Sequence, residues 1–223
     1  MFKDLKWKLS IMTALGLGMM ANSSQALMVV PSSLERLVAC GPNTVVIYGK
    51  LASEQATTNE VGWDVTKLNF EGEVLKGYAS GTLHPNTGKA VVAKAGEKQN
   101  IDVTVFGQRQ RGMIKGCGAP SVGTEGLFFL TGPSPSTGIQ GFCGCEQGIF
   151  TESVNGQGEK VMSNSLANKA LRIESLNLSN SSGKNMEVVN KSLRKLQANP
   201  SGPLPSQDLI NVVKQLIANK YGA

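Results

Sequence analysis

The chain has 223 residues, carrying 22 Lys and Arg against 16 Asp and Glu with one His, for a formal net charge of +6. The first 26 residues carry +2 of this, which leaves +4 on the rest. No block of five like charges occurs and aromatic residues make up only 5%, so the electrostatic and stacking footprint of a nucleic-acid binder is missing.

Residues 1–26 read as a secretory signal peptide. Lys3, Lys6 and Lys8 precede an apolar run from Leu9 to Ala21, and Ser24 and Ala26 form an A-x-A-like cleavage site. The apolar run is too short to span a bilayer, and no later stretch reaches that length, so the expected product has no transmembrane segment and begins at Leu27. The expected address is exported, periplasmic or secreted.

Residues 27–151 read as short strands punctuated by Gly, Pro and Asn. Val45 to Tyr48 is the clearest strand core. Val61, Trp63 and Val65 alternate with polar residues, then Leu68 and Phe70 resume on the other parity, which predicts a bulge between them. Ile101, Val103 and Val105 repeat the period of two, and Leu127 to Leu130 is an uninterrupted apolar run of the kind that is buried. A Pro- and Ser-rich connection, Gly132 to Gly138, leads to a cysteine-bearing segment read as extended. Five or six strands with little helical signal predict a mainly β fold, a small closed or nearly closed barrel.

Beyond Thr151 the pattern changes. Residues 152–185 read as a polar linker holding one short helix between Ser163 and Ile173. Residues 186–223 read as a helical pair, with Val188, Val189, Leu193 and Leu196 at helical spacing, a break from Asn199 to Pro205, and a second helix capped by Ser206. That last helix carries Leu209, Ile210, Val213, Leu216 and Ile217 on one face, suited to docking on the barrel or on its neighbour.

The four cysteines, Cys40, Cys117, Cys143 and Cys145, all follow the signal, and an even number in an oxidising compartment points to two disulfides. Residues i and i+2 of one strand are poorly placed for each other, so Cys143 and Cys145 are expected to bridge separately to Cys40 and Cys117. A Cys143/Cys145 redox pair is the sharper alternative, but no histidine or lysine neighbours it in sequence to stabilise a thiolate. No catalytic residue is assigned. The sole histidine, His84, lies in a turn sequence and lacks companions for a zinc site or a nucleophile–base pair, and no G-x-S-x-G, P-loop or H-E-x-x-H motif occurs. Neither a metal nor a cofactor is expected.

Cys40 before Val45-Val46-Ile47-Tyr48-Gly49-Lys50, Phe70 with Gly72-Glu73-Val74-Leu75-Lys76-Gly77, Gly116-Cys117-Gly118, Glu125 to Leu130, and Phe142 to Cys145 together resemble the netrin-like module. Tissue inhibitors of metalloproteinases are its best-known members. The resemblance covers roughly Ser33 to Phe150 and implies an OB-type barrel cross-linked by disulfides. Those inhibitors chelate the protease zinc through an N-terminal cysteine, whereas cleavage here leaves Leu27, so the chelating end is absent.

The expected function is therefore an exported, non-enzymatic protein-binding module, whose protein partner could be a protease. The alternatives are a metalloprotease inhibitor acting without an N-terminal cysteine and a thiol-disulfide protein using Cys143 and Cys145. An oligosaccharide partner is also open, because OB barrels present a strand face and loops to such ligands, with Trp63 and Tyr78 as its candidate aromatic contacts.

Overall fold

The computed structural model describes residues 32–41, 43–60, 62–78, 81–84, 88–107, 119–169, 171–173, 184–198 and 201–222. Residues 1–26, read above as a signal peptide, and Cys117 lie outside the described residues.

A short helix, α1 (Leu34–Val38), opens the described chain, with Ser33 at its N-cap accepting from the Arg36 N–H. Seven strands follow: β1 (Val45–Thr58), β2 (Asp64–Lys76), β3 (Lys98–Phe106), β4 (Glu125–Leu130), β5 (Ile149–Val154), β6 (Lys160–Ser163) and β7 (Leu204–Pro205). Two longer helices, α2 (Lys184–Ala198) and α3 (Ser206–Tyr221), flank β7. All strands belong to one antiparallel sheet in the order β3-β2-β1-β4-β5-β6-β7. The fold is thus mainly β with a C-terminal helix, and the sheet ladder is open where a closed or nearly closed barrel was expected. Among the described residues, isolated bridges link its flanks beyond the ladder: Val105 with Gln140 in parallel, and Leu130 with Phe142 antiparallel.

The strands alternate between two apolar layers. Val45, Ile47, Phe70, Val74, Ile101, Val103, Phe128 and Leu130 fill an inner core, in which the Phe70 ring lies 4.9 Å from Phe128 and 6.3 Å from Phe142. Val46, Leu75, Leu127, Phe129, Phe150 and Met162 face the other way and are covered by Leu34 and Leu37 of α1, Leu193 and Leu196 of α2, and Leu209, Val212, Val213 and Leu216 of α3. The continuous runs Val45–Ile47 and Leu127–Leu130 are apolar because both of their faces are buried.

Several local expectations are corrected. The β2–β3 ladder runs unbroken from Val65↔Phe106 to Glu73↔Lys98, so β2 carries no bulge between Val65 and Leu68; the register shifts in the β1–β2 ladder lie elsewhere, with Ala52 the extra residue in β1 and Leu75 the extra residue in β2. The change of parity in β2 arises because Thr66 takes an inward position, its hydroxyl donating to the Gly107 carbonyl at 2.8 Å. The cysteine segment is not extended. Gly144 and Cys145 both adopt left-handed conformations, with φ of 61° and 56°, and Cys145 opens a one-turn 3₁₀ helix to Gly148. Among the described residues of 163–173 there is no helix. Ala167 and Asn168 have positive φ, and paired asparagines hold a turn in which the Asn164 Oδ1 accepts from the Leu166 and Asn168 N–H groups. Pro205 occupies the N-cap position of α3 and Ser206 is its first residue, so the expected serine cap is not made. Finally, β5 runs through Thr151 and β6 falls inside 152–185, so the first part of the stretch read as linker is sheet.

Asn168 is fully buried and joins the C-terminal part to the sheet, donating through Nδ2 to the carbonyls of Met162 (3.1 Å) and Gly202 (2.7 Å). Cys40, just past α1, is disulfide-bonded to Cys143, with their Cα atoms 5.8 Å apart.

A chain ended at Thr151 would leave Val46, Leu127, Phe129 and Phe150 uncovered, each worth about 1.5–3 kcal/mol of burial. The expected outcome, read by near-UV circular dichroism and size exclusion, is an aggregating or molten product; a cooperatively unfolding monomer would contradict the shared core. Cys40→Ser, which opens a 103-residue loop, should lower unfolding stability by about 4 kcal/mol in denaturant titration.

Candidate functional site: a polar cleft on the uncovered strand face

The helical cover stops part-way along β1. Val46 lies under it and Tyr48 is packed at its margin, whereas Lys50 projects from the same face into solvent. At the margin the Lys214 ammonium of α3 pairs with Glu73 of β2 at 2.9 Å. Beyond this step the bare face of β4, β1, β2 and β3 forms an open cleft of about 680 Å³, lined by Tyr48, Lys50, Glu71, Glu73, Lys98 and Glu125. That volume is in the range of ligand pockets.

The floor is shaped by glycine. Gly72, Gly49 and Gly126 are cross-strand partners on three neighbouring strands. A Cβ on Gly49 would run into the Glu71 carbonyl, one on Gly72 into the Tyr48 carbonyl, and one on Gly126 into the Phe150 carbonyl. The backbones approach too closely at this row for any other residue.

Two rows of side chains rise on either side of the glycines. Glu125, Lys50, Glu71 and Asn100 are successive partners across four strands, and Tyr48, Glu73 and Lys98 form the second row. Lys50 and Glu71 pair at 3.4 Å. At one wall the Tyr48 hydroxyl donates to Glu152 Oε1 at 3.1 Å, and Lys160 Nζ donates to Glu152 Oε2 at 2.6 Å. Burial alone would raise the Glu152 pKa, but the bonds from Lys160 and Tyr48 outweigh it and hold the carboxyl below its ordinary value. Burial, reinforced by the Glu152 charge, pushes the Tyr48 phenol up. The wall is therefore a cluster of a neutral Tyr48 phenol, an ionised Glu152 carboxylate and the Lys160 ammonium, joined by hydrogen bonds.

The residues singled out in the sequence do not converge here. Trp63 and Tyr78 stand at opposite ends of β2, before Asp64 and after Lys76, so they form no common ligand face. Trp63 is 44% exposed and meets Phe106, 49% exposed, edge-on at 6.0 Å. Tyr78 is largely buried, its hydroxyl accepting from Gln140 Nε2 at 2.8 Å, and burial raises its pKa. His84 belongs to a small hairpin in which its N–H donates to the Lys89 carbonyl. Cys143 is bridged to Cys40, and Cys145 is itself disulfide-bonded, so neither is a free thiol; the second expected bridge involves Cys117, outside the described residues. Among the described residues, no group of three His, Cys, Asp or Glu could hold a metal ion, and no helix is long and apolar enough to cross a membrane.

The cleft itself went unread in the sequence. Its only local signal is the recurrence of a glycine flanked by charged or polar residues, Tyr48-Gly49-Lys50, Glu71-Gly72-Glu73 and Glu125-Gly126, and only the strand register shows that these align. Comparison of the chain with protein-family models, curated proteins and solved structures returns no match.

One buried cation lies behind the cleft's helical margin. Lys76 is buried, donates to the Thr44 carbonyl at 2.6 Å, and stands 4.4 Å from the Tyr221 ring centroid. Burial, with a smaller repulsion from Lys220, lowers its pKa to about 8. Between about pH 8 and the ordinary lysine value the unfolded chain holds a proton that the folded chain has released, so folding stability rises with pH across that window. Lys76→Met should abolish this rise. Stability of the variant relative to the parent should therefore be greatest near neutral pH and shrink by about pH 9, as urea titrations at the two values would show.

Proposed function

We propose that this chain is an exported, non-enzymatic protein-binding module of OB-like barrel type, and that its partner is received in the polar cleft across β4, β1, β2 and β3. The observation that carries the reading is the cleft: an open concavity on a rigid four-strand face, framed by carboxylates and ammonium groups held in register and bordered by the fixed Tyr48–Glu152–Lys160 cluster. Charges displayed this way on strands suit recognition of a charged polypeptide surface.

The barrel reading is supported by the two isolated bridges. Val105 with Gln140, and Phe142 with Leu130, bring the segment after β4 between β3 and β4. Export is supported by the Cys40–Cys143 disulfide, a bond that persists in oxidising compartments. The same bond favours a structural role for Cys143 over a redox pair with Cys145. The resemblance to netrin-like modules agrees with a cysteine ahead of β1 tied to the segment beyond β4.

A photo-reactive amino acid placed at Lys50 should give a saturable protein adduct when the exported protein is irradiated in its native fraction, while one placed at Val188 on the exposed side of α2 should not. Equal labelling at both positions, or none at Lys50, would sink the assignment of the cleft. His84→Ala should leave partner capture and thermal stability within error of the parent; a selective loss of activity in a folded His84→Ala protein would point instead to chemistry at that imidazole.

A further inference from the structure

The charges around the cleft are unevenly satisfied. Glu71 is paired with Lys50 and Glu73 with Lys214. Among the described residues, Glu125 on β4 and Lys98 on β3 have no ion-pair partner, and both are exposed. They stand at opposite ends of the cleft, because β1 and β2 lie between β4 and β3. Three inter-strand spacings of ~4.8 Å and a two-residue offset of ~6.6 Å along the strands separate them, because Glu125 is level with Asn100 and Lys98 lies in the next row on that face, which puts them about 16 Å apart. The cleft is therefore dipolar, open and anionic at the β4 end, open and cationic at the β3 end, with a neutralised middle.

Resting on the protein-binding reading, we propose that the occupant is an extended peptide segment of the partner. It lies across the four strands and carries a basic and an acidic side chain four residues apart, the basic group on Glu125 and the acidic group on Lys98. The spacing follows from extended-chain geometry. Four residues at ~3.3 Å span about 13 Å, the same-side spacing nearest to about 16 Å, and the long Glu125 and Lys98 side chains make up the difference; two residues span only about 7 Å and six about 20 Å. Side chains alternate sides along an extended chain, so residues i and i+4 point the same way, into the cleft, whereas i and i+3 point oppositely. The intervening inward residue at i+2 lies over the Gly49–Gly72 backbone, between the Lys50–Glu71 and Lys214–Glu73 pairs, where a small polar side chain fits and a charged one would compete with an existing pair. A helical segment fails the same geometry, because i and i+4 are then only about 6 Å apart.

The test is a titration of the isotope-labelled mature protein, disulfides intact, with capped synthetic peptides followed by amide chemical shifts. The probes are Lys-Ser-Thr-Ser-Glu and its reverse, Glu-Ser-Thr-Ser-Lys. The controls are Lys-Ser-Thr-Glu, which has the i+3 spacing, and Lys-Ser-Thr-Ser-Lys. At least one mixed-charge probe should shift amides of β1 to β4 around the cleft and bind about threefold or more tighter than both controls, the scale of exposed ion pairs. Glu125→Lys should move the preference to Glu-Ser-Thr-Ser-Glu, and Lys98→Glu to Lys-Ser-Thr-Ser-Lys; both positions are exposed, and circular dichroism checks that the fold is kept. Equal binding of probes and controls, shifts away from the cleft, or an unchanged preference in both variants would overturn the proposal. If a Lys50 photo-adduct nevertheless forms, the protein-binding reading stands and the charge-spaced peptide alone is wrong.

Discussion

The rest of the structure depends on the burial of β1 and β4 from both sides. Val45 and Ile47 point into the inner core while Val46 points under the helices; Phe128 and Leu130 point inward while Leu127 and Phe129 point outward. A strand with two apolar faces cannot stop at a single layer, because exposing either face forfeits burial comparable to the net stability of a small domain. The C-terminal helices are in this sense completed core. Phe129 and Phe150, edge to face at 5.8 Å, form the floor on which α3 rests.

Apolar contact alone would let that cover slide, and three polar connections fix its position. The Cys40–Cys143 disulfide ties the end of α1 to the segment beyond β4. Asn168 spends both amide protons on carbonyls from β6 and from the approach to β7. Lys195 of α2 pairs with Asp208 of α3 at 3.0 Å, and the same carboxylate accepts from buried Ser192 at 2.6 Å, so the two helices are locked to each other. Buried groups of this kind are costly when unpaired, which favours one docking geometry over its neighbours.

The cleft is a consequence of where that cover ends. The helices protect the half of the sheet nearest Val46 and stop at the Lys214–Glu73 pair; the same strands continue past the glycine row with charged residues on the exposed face. One set of strands therefore supplies a rigid, doubly buried half and a solvated half that displays side chains. A recognition surface on strands held this way loses little conformational freedom on binding.

The sequence by itself determined the mainly β character, the existence of the C-terminal helices and the double-sided burial of Leu127 to Leu130, because period two, period 3.6 and uninterrupted apolar runs are local signals of how many faces are covered. It misread the cysteine segment and residues 163–173, where the backbone of Cys145, Ala167 and Asn168 enters left-handed regions that only surrounding hydrogen bonds stabilise. It misplaced the bulge, since a threonine can hold an inward position when a distant carbonyl accepts its hydroxyl. Trp63 and Tyr78 looked alike as aromatic candidates, yet one is half exposed and the other is partly buried and bonded to Gln140. Tertiary structure alone decided the sheet order, the partner of Cys143 and the alignment of Gly72, Gly49 and Gly126. Each is a relation between segments far apart in the chain, set by cross-strand register and by which face needed covering, and neither quantity is written in any one stretch of residues.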